Sequence, residues 1–248
     1  MKNASLIRWF SLTVIAMLLM GCSMGVAAPT ATPVPPTGTP IPPTATPVPP
    51  TDTPVPTDTP LPTATPGPIV IDDDFSADNG RFKCESCLVE GGVLTIGTFP
   101  MVDSRKPFTV VCEDCGSFAN YKMSVDTWYA DGNSNRGFGL VVRQGEKYIY
   151  LVAVSSWLKY NVFEFDTTVN GGVGYTSLLG GWGKGGLGAG RAVHHIDIVM
   201  QGNSMTMILN SDFTRIYELP NGSGQVGLWV GNWETSAAFD NFHFEEIR

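Results

Sequence analysis

The chain is short of positive charge and of histidine. Fifteen Lys and Arg stand against twenty-three Asp and Glu in 248 residues, with three His. No basic run occurs anywhere, which argues against nucleic acid as a partner and against electrostatic adhesion to anionic lipid. His194 and His195 are neighbours, so on a strand they face opposite ways and do not share a metal; His243 stands alone. No Ser or Cys sits in a nucleophile elbow, so a hydrolase triad has no support. After the stalk no window of a dozen residues shows a 3.6-residue apolar period, which excludes a helical fold there.

Proline is almost missing from the second part of the chain, because 16 of the 19 prolines lie between Pro29 and Pro68. That segment repeats a unit close to P-x-P-P-T-x-T and contains no aromatic residue. Proline lacks the N–H and fixes φ, so neither a helix nor an interior strand forms. Nothing in it buries enough apolar area to fold. The expectation is an extended stalk, roughly 120 Å at full reach at about 3.1 Å per residue, with threonines open to O-glycosylation.

What precedes the stalk reads as an export signal. Lys2 and Arg8 are followed by a largely apolar run, Leu6 to Met20, too short for an ordinary membrane span. It ends in Leu18-Leu19-Met20-Gly21-Cys22, which resembles a bacterial lipobox. The resemblance implies cleavage before Cys22 and lipid on Cys22, hence an extracytoplasmic protein held to the cell membrane by its lipid alone. The alternative is a plain signal peptide with an incidental cysteine. The expected organisation is a signal peptide over 1–21, a disordered Pro/Thr-rich linker over 22–68 and one folded domain over 69–248.

The folded domain reads as all-β. Period-two runs recur in GVLTIGT (92–98), YKMSVDTW (121–128), RGFGLVVR (136–143), KYIYLVAV (147–154) and LKYNVFEFD (158–166), and on to the C-terminus. Turn residues such as DGNSN, QGE, QGN, NSD and NGSG separate them. More than ten short strands predict a two-sheet antiparallel β-sandwich, or jelly roll.

Three stretches carry a more specific pattern. They are Asp72-Asp73-Asp74-Phe75, then Gly137-Phe138-Gly139-Leu140-Val141-Val142-Arg143 with Tyr148-Ile149-Tyr150-Leu151-Val152, and last Gln225-Val226-Gly227-Leu228-Trp229 with Phe239-Asp240-Asn241-Phe242. In order and spacing these resemble the concanavalin A-like lectin/glucanase sandwiches, nearest to the 3-keto-disaccharide hydrolase-like or laminin-G-like branch. The resemblance implies the sandwich fold; that fold hosts lectins, hydrolases and structural modules alike. Glucanases of the fold carry Glu-x-Asp-x-x-Glu on one strand. Here Glu164 and Asp166 are the candidate catalytic carboxylates, but Val169 stands where the third belongs. A glucanase of that type is disfavoured.

Cysteines are five. Cys84, Cys87, Cys112 and Cys115 form two Cys-x-x-Cys pairs, open to zinc, disulfides or redox chemistry. Export favours disulfides as structural staples. The index sums 84 + 115 and 87 + 112 are equal, so one antiparallel ladder with a bulge could join the pairs across the two segments, and parallel pairing fits the arithmetic too. Asp72, Asp74 and Asp240 are candidates for a structural calcium if the terminal strands pair. No cofactor is required; structural zinc or calcium stays open.

The strangest stretch is Gly171–Gly190, half glycine, with Tyr175 and Trp182 standing as lone rings on expected bare loops. Trp157 and Trp233 lie at strand ends. Together these four rings, with Asn161, Asn232 and Glu234 as polar partners, make a candidate platform for a carbohydrate or another surface polymer. An extracellular glycoside hydrolase-like enzyme and a structural or adhesive surface protein are the alternative readings.

Overall fold

The computed structural model describes residues 66–97, 106–169, 174–220, 222–231 and 234–248. The signal peptide, Cys22, nearly all of the stalk, Asn232 and Trp233 lie outside them. The described residues belong to one unit, Pro62–Arg248. Strands are numbered in chain order. One sheet runs β14 (Phe213–Glu218), β13 (Ser204–Leu209), β12 (His194–Gln201), β6 (Tyr121–Gly132), β16 (Thr235–Glu246), β3 (Val93–Ile96) and β2 (Cys87–Glu90), with β1 (Val70–Asp73) also paired to β16. The other runs β10 (Gly174–Ser177), β9 (Trp157–Asp166), β8 (Tyr148–Ser155), β7 (Phe138–Gln144), β15 (Gly224–Val230) and β4 (Phe108–Val111); β11 (Gly183–Ala189) also pairs with β9, and β5 (Ser117–Phe118) with β15. Each of these pairings is antiparallel. The two-sheet antiparallel sandwich expected from the alternating runs is the fold observed.

The inward face of each strand follows its alternation. Met123 and Val125 of β6, Ile196 and Ile198 of β12, Leu140 and Val142 of β7, Val152 and Val154 of β8, and Leu228 and Val230 of β15 share one core. Each such side chain contributes about 1.5–3 kcal/mol by leaving water. Phe239 and Phe242 are three apart yet both buried, because the β16–β6 register shifts between Asp240 and His243 and Asn241 takes φ 51°. Asn tolerates that left-handed angle better than most residues. Phe242 meets Phe82 edge-on at 5.0 Å, and Phe82 meets Phe75 at 5.8 Å, so the first and last motifs of the domain close on one aromatic knot. Asp73 secures the entry by accepting from the Phe75 N–H (3.0 Å) and Asn79 Nδ2 (2.7 Å) and by pairing with Arg81.

Arg143 is buried without a carboxylate. Its guanidinium donates to the carbonyls of Leu219 (2.6 Å) and Gly202 (2.7 Å), tying β7 to the β12–β13 turn and the segment after β14. Burial pulls its pKa below the usual guanidinium value, with Tyr121 and Tyr150 acting in the opposite direction.

The structure chooses the local cysteine pairing. Cys84 bonds Cys87 and Cys112 bonds Cys115. The cross-segment couples suggested by the index sums do not form. Their segments never pair: β2, which begins at Cys87, lies on β3 of one sheet, and β4, just before Cys112, lies on β15 of the other. Each pair sits instead on its own turn, closed by Cys87 N–H to Cys84 O and Cys115 N–H to Cys112 O. Closing so short a loop contributes about 2 kcal/mol per bridge. The glycine-rich stretch also departs from expectation, since its described part supplies edge strands β10 and β11 rather than bare loop. Glycine is needed there because a Cβ at Gly183 would lie 2.7 Å from the Tyr160 ring and one at Gly185 2.9 Å from the Phe213 ring.

Two outcomes follow for the folded domain. Denatured without reductant, Cys84, Cys87, Cys112 and Cys115 give no thiol signal, and after reduction all four titrate. Arg143→Met strands one buried and one partly buried carbonyl and lowers the unfolding free energy in urea by about 2–4 kcal/mol, since hydrogen bonds to charged groups are worth about 1.5–3 kcal/mol each.

Candidate functional site

The second sheet is apolar on both faces. On the side away from the core, β9 presents Asn161, Phe163 and Phe165, β8 presents Ile149, Leu151 and Ala153, β7 presents Gly139 and Val141, and β15 presents Trp229. The register aligns them in rows: Trp229–Gly139–Ala153–Asn161, then Gly227–Val141–Leu151–Phe163. Small residues in the first row let the Trp229 indole lie across β7, where its Nε1–H donates to Val152 O at 2.8 Å. Gly137 continues this device. A Cβ there would lie 2.8 Å from the Trp182 ring and 3.1 Å from that of Trp229, so the two indoles meet above its bare backbone.

Phe163 is the hub of the cluster. Its ring makes edge contacts with Trp182 at 5.6 Å, Tyr175 at 5.7 Å and Trp229 at 6.4 Å, while Tyr175 also lies 5.5 Å from Phe165. Such pairs add about 0.5–1.5 kcal/mol each beyond the area they bury. Phe163 and Trp229 are nearly covered; Tyr175 keeps 56 % of its surface exposed and Trp182 39 %. The result is a buried aromatic floor with two open rings above it. Tyr175 is held by its pairing with Phe165, and Trp182 stands between β10 and β11 at the point where the edge strand breaks register.

The expected platform is brought together in part. Tyr175 and Trp182 share the cluster. Trp157 is 55 % exposed at the tip of the β8–β9 hairpin, its indole N–H on Ser134 Oγ at 3.3 Å. Asn161 is buried, with its Oδ1 accepting from Ser177 Oγ (2.8 Å) and from the Val162 N–H (2.8 Å), so it fixes the edge strand and has no oxygen to offer outward from that contact. Glu234 is exposed at the β15–β16 turn with φ 56°. Phe163, Phe165 and Trp229 were not among the sequence candidates. Their signal was present in Phe163-Glu164-Phe165, an apolar alternation opposite Tyr160 and Val162, which marks a strand buried on both sides.

The acidic candidates are engaged elsewhere. Glu164 is on the opposite face from Phe163 and accepts from Tyr150 Oη at 2.7 Å. Asp166 accepts from the Thr168 hydroxyl and N–H and lies 3.9 Å from Lys147; those hydrogen bonds hold its pKa below the usual carboxylate value. Neither faces the aromatic floor, and among the described residues no carboxylate pair is built there. The terminal strands do pair, yet Asp72 goes to His243 (2.7 Å), Asp74 to the Ser76 N–H (3.0 Å) and Asp240 to the Asn241 N–H (2.7 Å), so the three calcium candidates do not converge. Among the described residues no group of three or more His, Cys, Asp and Glu is placed to hold a metal ion.

The two adjacent histidines face opposite ways. His195 lies on the outer face of the first sheet between Asp126 (2.6 Å) and Asp197 (3.1 Å); burial works to lower its pKa and these carboxylates outweigh it, so the value is raised. His194 is buried and stacked on Phe138, with no partner on either nitrogen, and burial pushes it down to about 4.

No family model matches the chain, and no curated protein does. Solved structures match it in fold. A xylan β-1,4-xylosidase from Bacillus halodurans superposes with a TM-score of 0.52 at 15 % identity over 77 % of this chain and 41 % of that one. A GH43 protein from Bacillus licheniformis gives 0.50 at 14 % identity over 71 % and 39 %. The chain therefore spans about two fifths of each of those proteins. A carbohydrate-binding module, CBM66 from Bacillus subtilis, gives 0.49 at 18 % identity over 62 % of this chain and 86 % of that one.

His194 sets a pH dependence. Its folded pKa lies below the unfolded value of about 6.5, so the unfolded chain binds the extra proton in between. Its contribution is complete above pH ~6.5 and is lost as pH falls toward 4, by up to about 3 kcal/mol at ~1.36 kcal/mol per unit. His195, with its raised value, acts oppositely: its contribution is present below about 6.5 and is lost as pH rises through its folded pKa. Urea midpoints at pH 7.5 and 4.5 should fall less in His194→Leu than in the unaltered protein.

Proposed function

We propose that this chain is a binding module for carbohydrate, or a polymer of similar surface chemistry, displayed outside the cell by a lipid on Cys22 and a stalk over 22–68. Sugar rings carry apolar C–H faces, and open indole and phenol rings stack on them. The observation that carries the reading is the cluster on the second sheet, where Trp182 and Tyr175 stand half-exposed on a floor of Phe163, Phe165 and Trp229. A ring held edge-on by buried neighbours loses little freedom on binding, which is what a shallow glycan site requires.

The two candidate carboxylates, Glu164 and Asp166, are engaged by Tyr150 and Thr168 away from that face, which supports the binding reading over hydrolysis. The fold itself chooses no activity, since sandwiches of this kind serve unrelated functions. The neighbours in fold carry names from xylan chemistry and sugar binding. Those names suggest which polymers to try first, and xylan heads the panel.

Affinity electrophoresis of the full chain through gels containing xylan, other plant and bacterial polysaccharides, or none is the direct test. Retardation by at least one polymer is expected, without release of reducing ends. Trp182→Ala should weaken it about tenfold, equivalent to ~1.4 kcal/mol, while the protein still melts cooperatively. Release of reducing ends that stops in Glu164→Gln would instead establish the hydrolase. No retardation by any glycan would leave an adhesive protein.

A further inference from the structure

Beside the rings lies a charge arrangement that stacking does not explain. Lys159 of β9 and Lys184 of β11 are direct cross-strand partners. Lys159 has the parity of Asn161 and Phe163 and so stands on the side away from the core. Gly183 turns its bare side to the Tyr160 ring, within the core, which sends Lys184 outward next to Lys159. Both side chains are exposed. Like charges set directly opposite each other on a sheet repel. Among the described residues neither ammonium has an ion-pair partner, although Lys122 pairs with Glu245 and Lys147 with Asp166. In a chain of net charge −8, two adjoining cations without a carboxylate are conspicuous.

Their position relative to the rings follows from the chain. Lys184 is two residues from Trp182, whose ring packs on Phe163 of the outer face, and Lys159 is the cross-strand partner of Lys184. The lysine pair is therefore two residues along the same face from Trp182, about 7 Å at strand spacing, a distance comparable to one sugar residue. The exposed Trp157 lies two residues beyond Lys159 in the chain. A glycan stacked on Trp182 would extend its next substituent over the two ammonium groups.

We propose that the ligand of this face is an acidic glycan, with a sugar ring on Trp182 and an anionic substituent between Lys159 and Lys184. The proposal rests on the carbohydrate reading above and narrows it to polymers carrying carboxylate, sulfate or phosphate. The anion relieves the repulsion of the lysine pair, so binding is salt-sensitive where stacking on a neutral sugar is not.

The test is affinity electrophoresis of the full chain in gels containing polygalacturonate, chondroitin sulfate, a teichoic acid, neutral xylan or single-stranded oligothymidylate, at about 20 and 200 mM NaCl, a span over which screening changes strongly. The expected result is retardation by at least one acidic glycan, reduced by salt. Retardation should drop about tenfold or more in the Lys159→Gln/Lys184→Gln double variant and return in Lys159→Arg/Lys184→Arg. Which acidic polymer retards most identifies the anion. Near-UV circular dichroism of each variant confirms that these exposed substitutions leave the fold intact. Equal retardation by neutral xylan with no effect of the lysine variants would overturn the proposal and leave the carbohydrate reading standing. No retardation by any glycan would overturn both, and lysine-dependent retardation by oligothymidylate alone would do the same.

Discussion

Strands β7, β8 and β9 are apolar on both faces, and the sandwich core can cover only one. Val141, Leu151 and Phe163 form a row on the uncovered side. Left in water, three such side chains would forgo on the order of 5–9 kcal/mol. That is comparable with the whole stability of an ordinary domain, about 5–15 kcal/mol. The cover must therefore be built into the fold. Phe163, Phe165 and Trp229 supply its lower layer, and Tyr175 and Trp182 its edge. The same requirement that protects the sheet leaves two rings half-open to solvent in fixed positions. On the proposed reading, stability and recognition share these side chains.

Glycine makes that arrangement possible by absence of bulk. Gly137, just before β7, leaves space for two indoles, and Gly183 and Gly185 let the edge strand close over Tyr160 and Phe213. A glycine-rich stretch read as sequence suggests an uncovered loop. Here neighbouring rings occupy the space the side chains vacate, and the described part of the stretch hydrogen-bonds to β9 as two strand segments.

The fold was legible because alternation is a local property. Runs such as YKMSVDTW and RGFGLVVR carry their inward and outward faces openly, and DGNSN or QGN between them mark turns. The motifs that resemble the concanavalin A-like sandwiches prove mainly structural: Phe75 and Phe242 join through Phe82, and Arg143 ties distant carbonyls. The aromatic cluster proposed as the site was legible only in its exposed members, Tyr175 and Trp182, because isolated rings among glycines are visible in one dimension. Phe163 and Trp229 were hidden, since a ring on an outer sheet face looks in sequence like one in the core. Cysteine pairing was hidden for a different reason: equal index sums permit a ladder, but sheet membership, a long-range property, forbids it.

On the proposed reading the outer face of the second sheet, and not another surface, meets the ligand. Tryptophan indole N–H resonances report it directly, because the described tryptophans are dispersed: Trp182 and Trp157 on the proposed face or beside it, Trp229 beneath with its N–H on Val152 O, and Trp128 on β6 of the other sheet. Titration of the labelled protein with oligosaccharides from the retarding polymer should move the Trp182 resonance first and most, and leave that of Trp128 in place. A shift confined to Trp128, or binding that leaves Trp182 unmoved, would contradict the account.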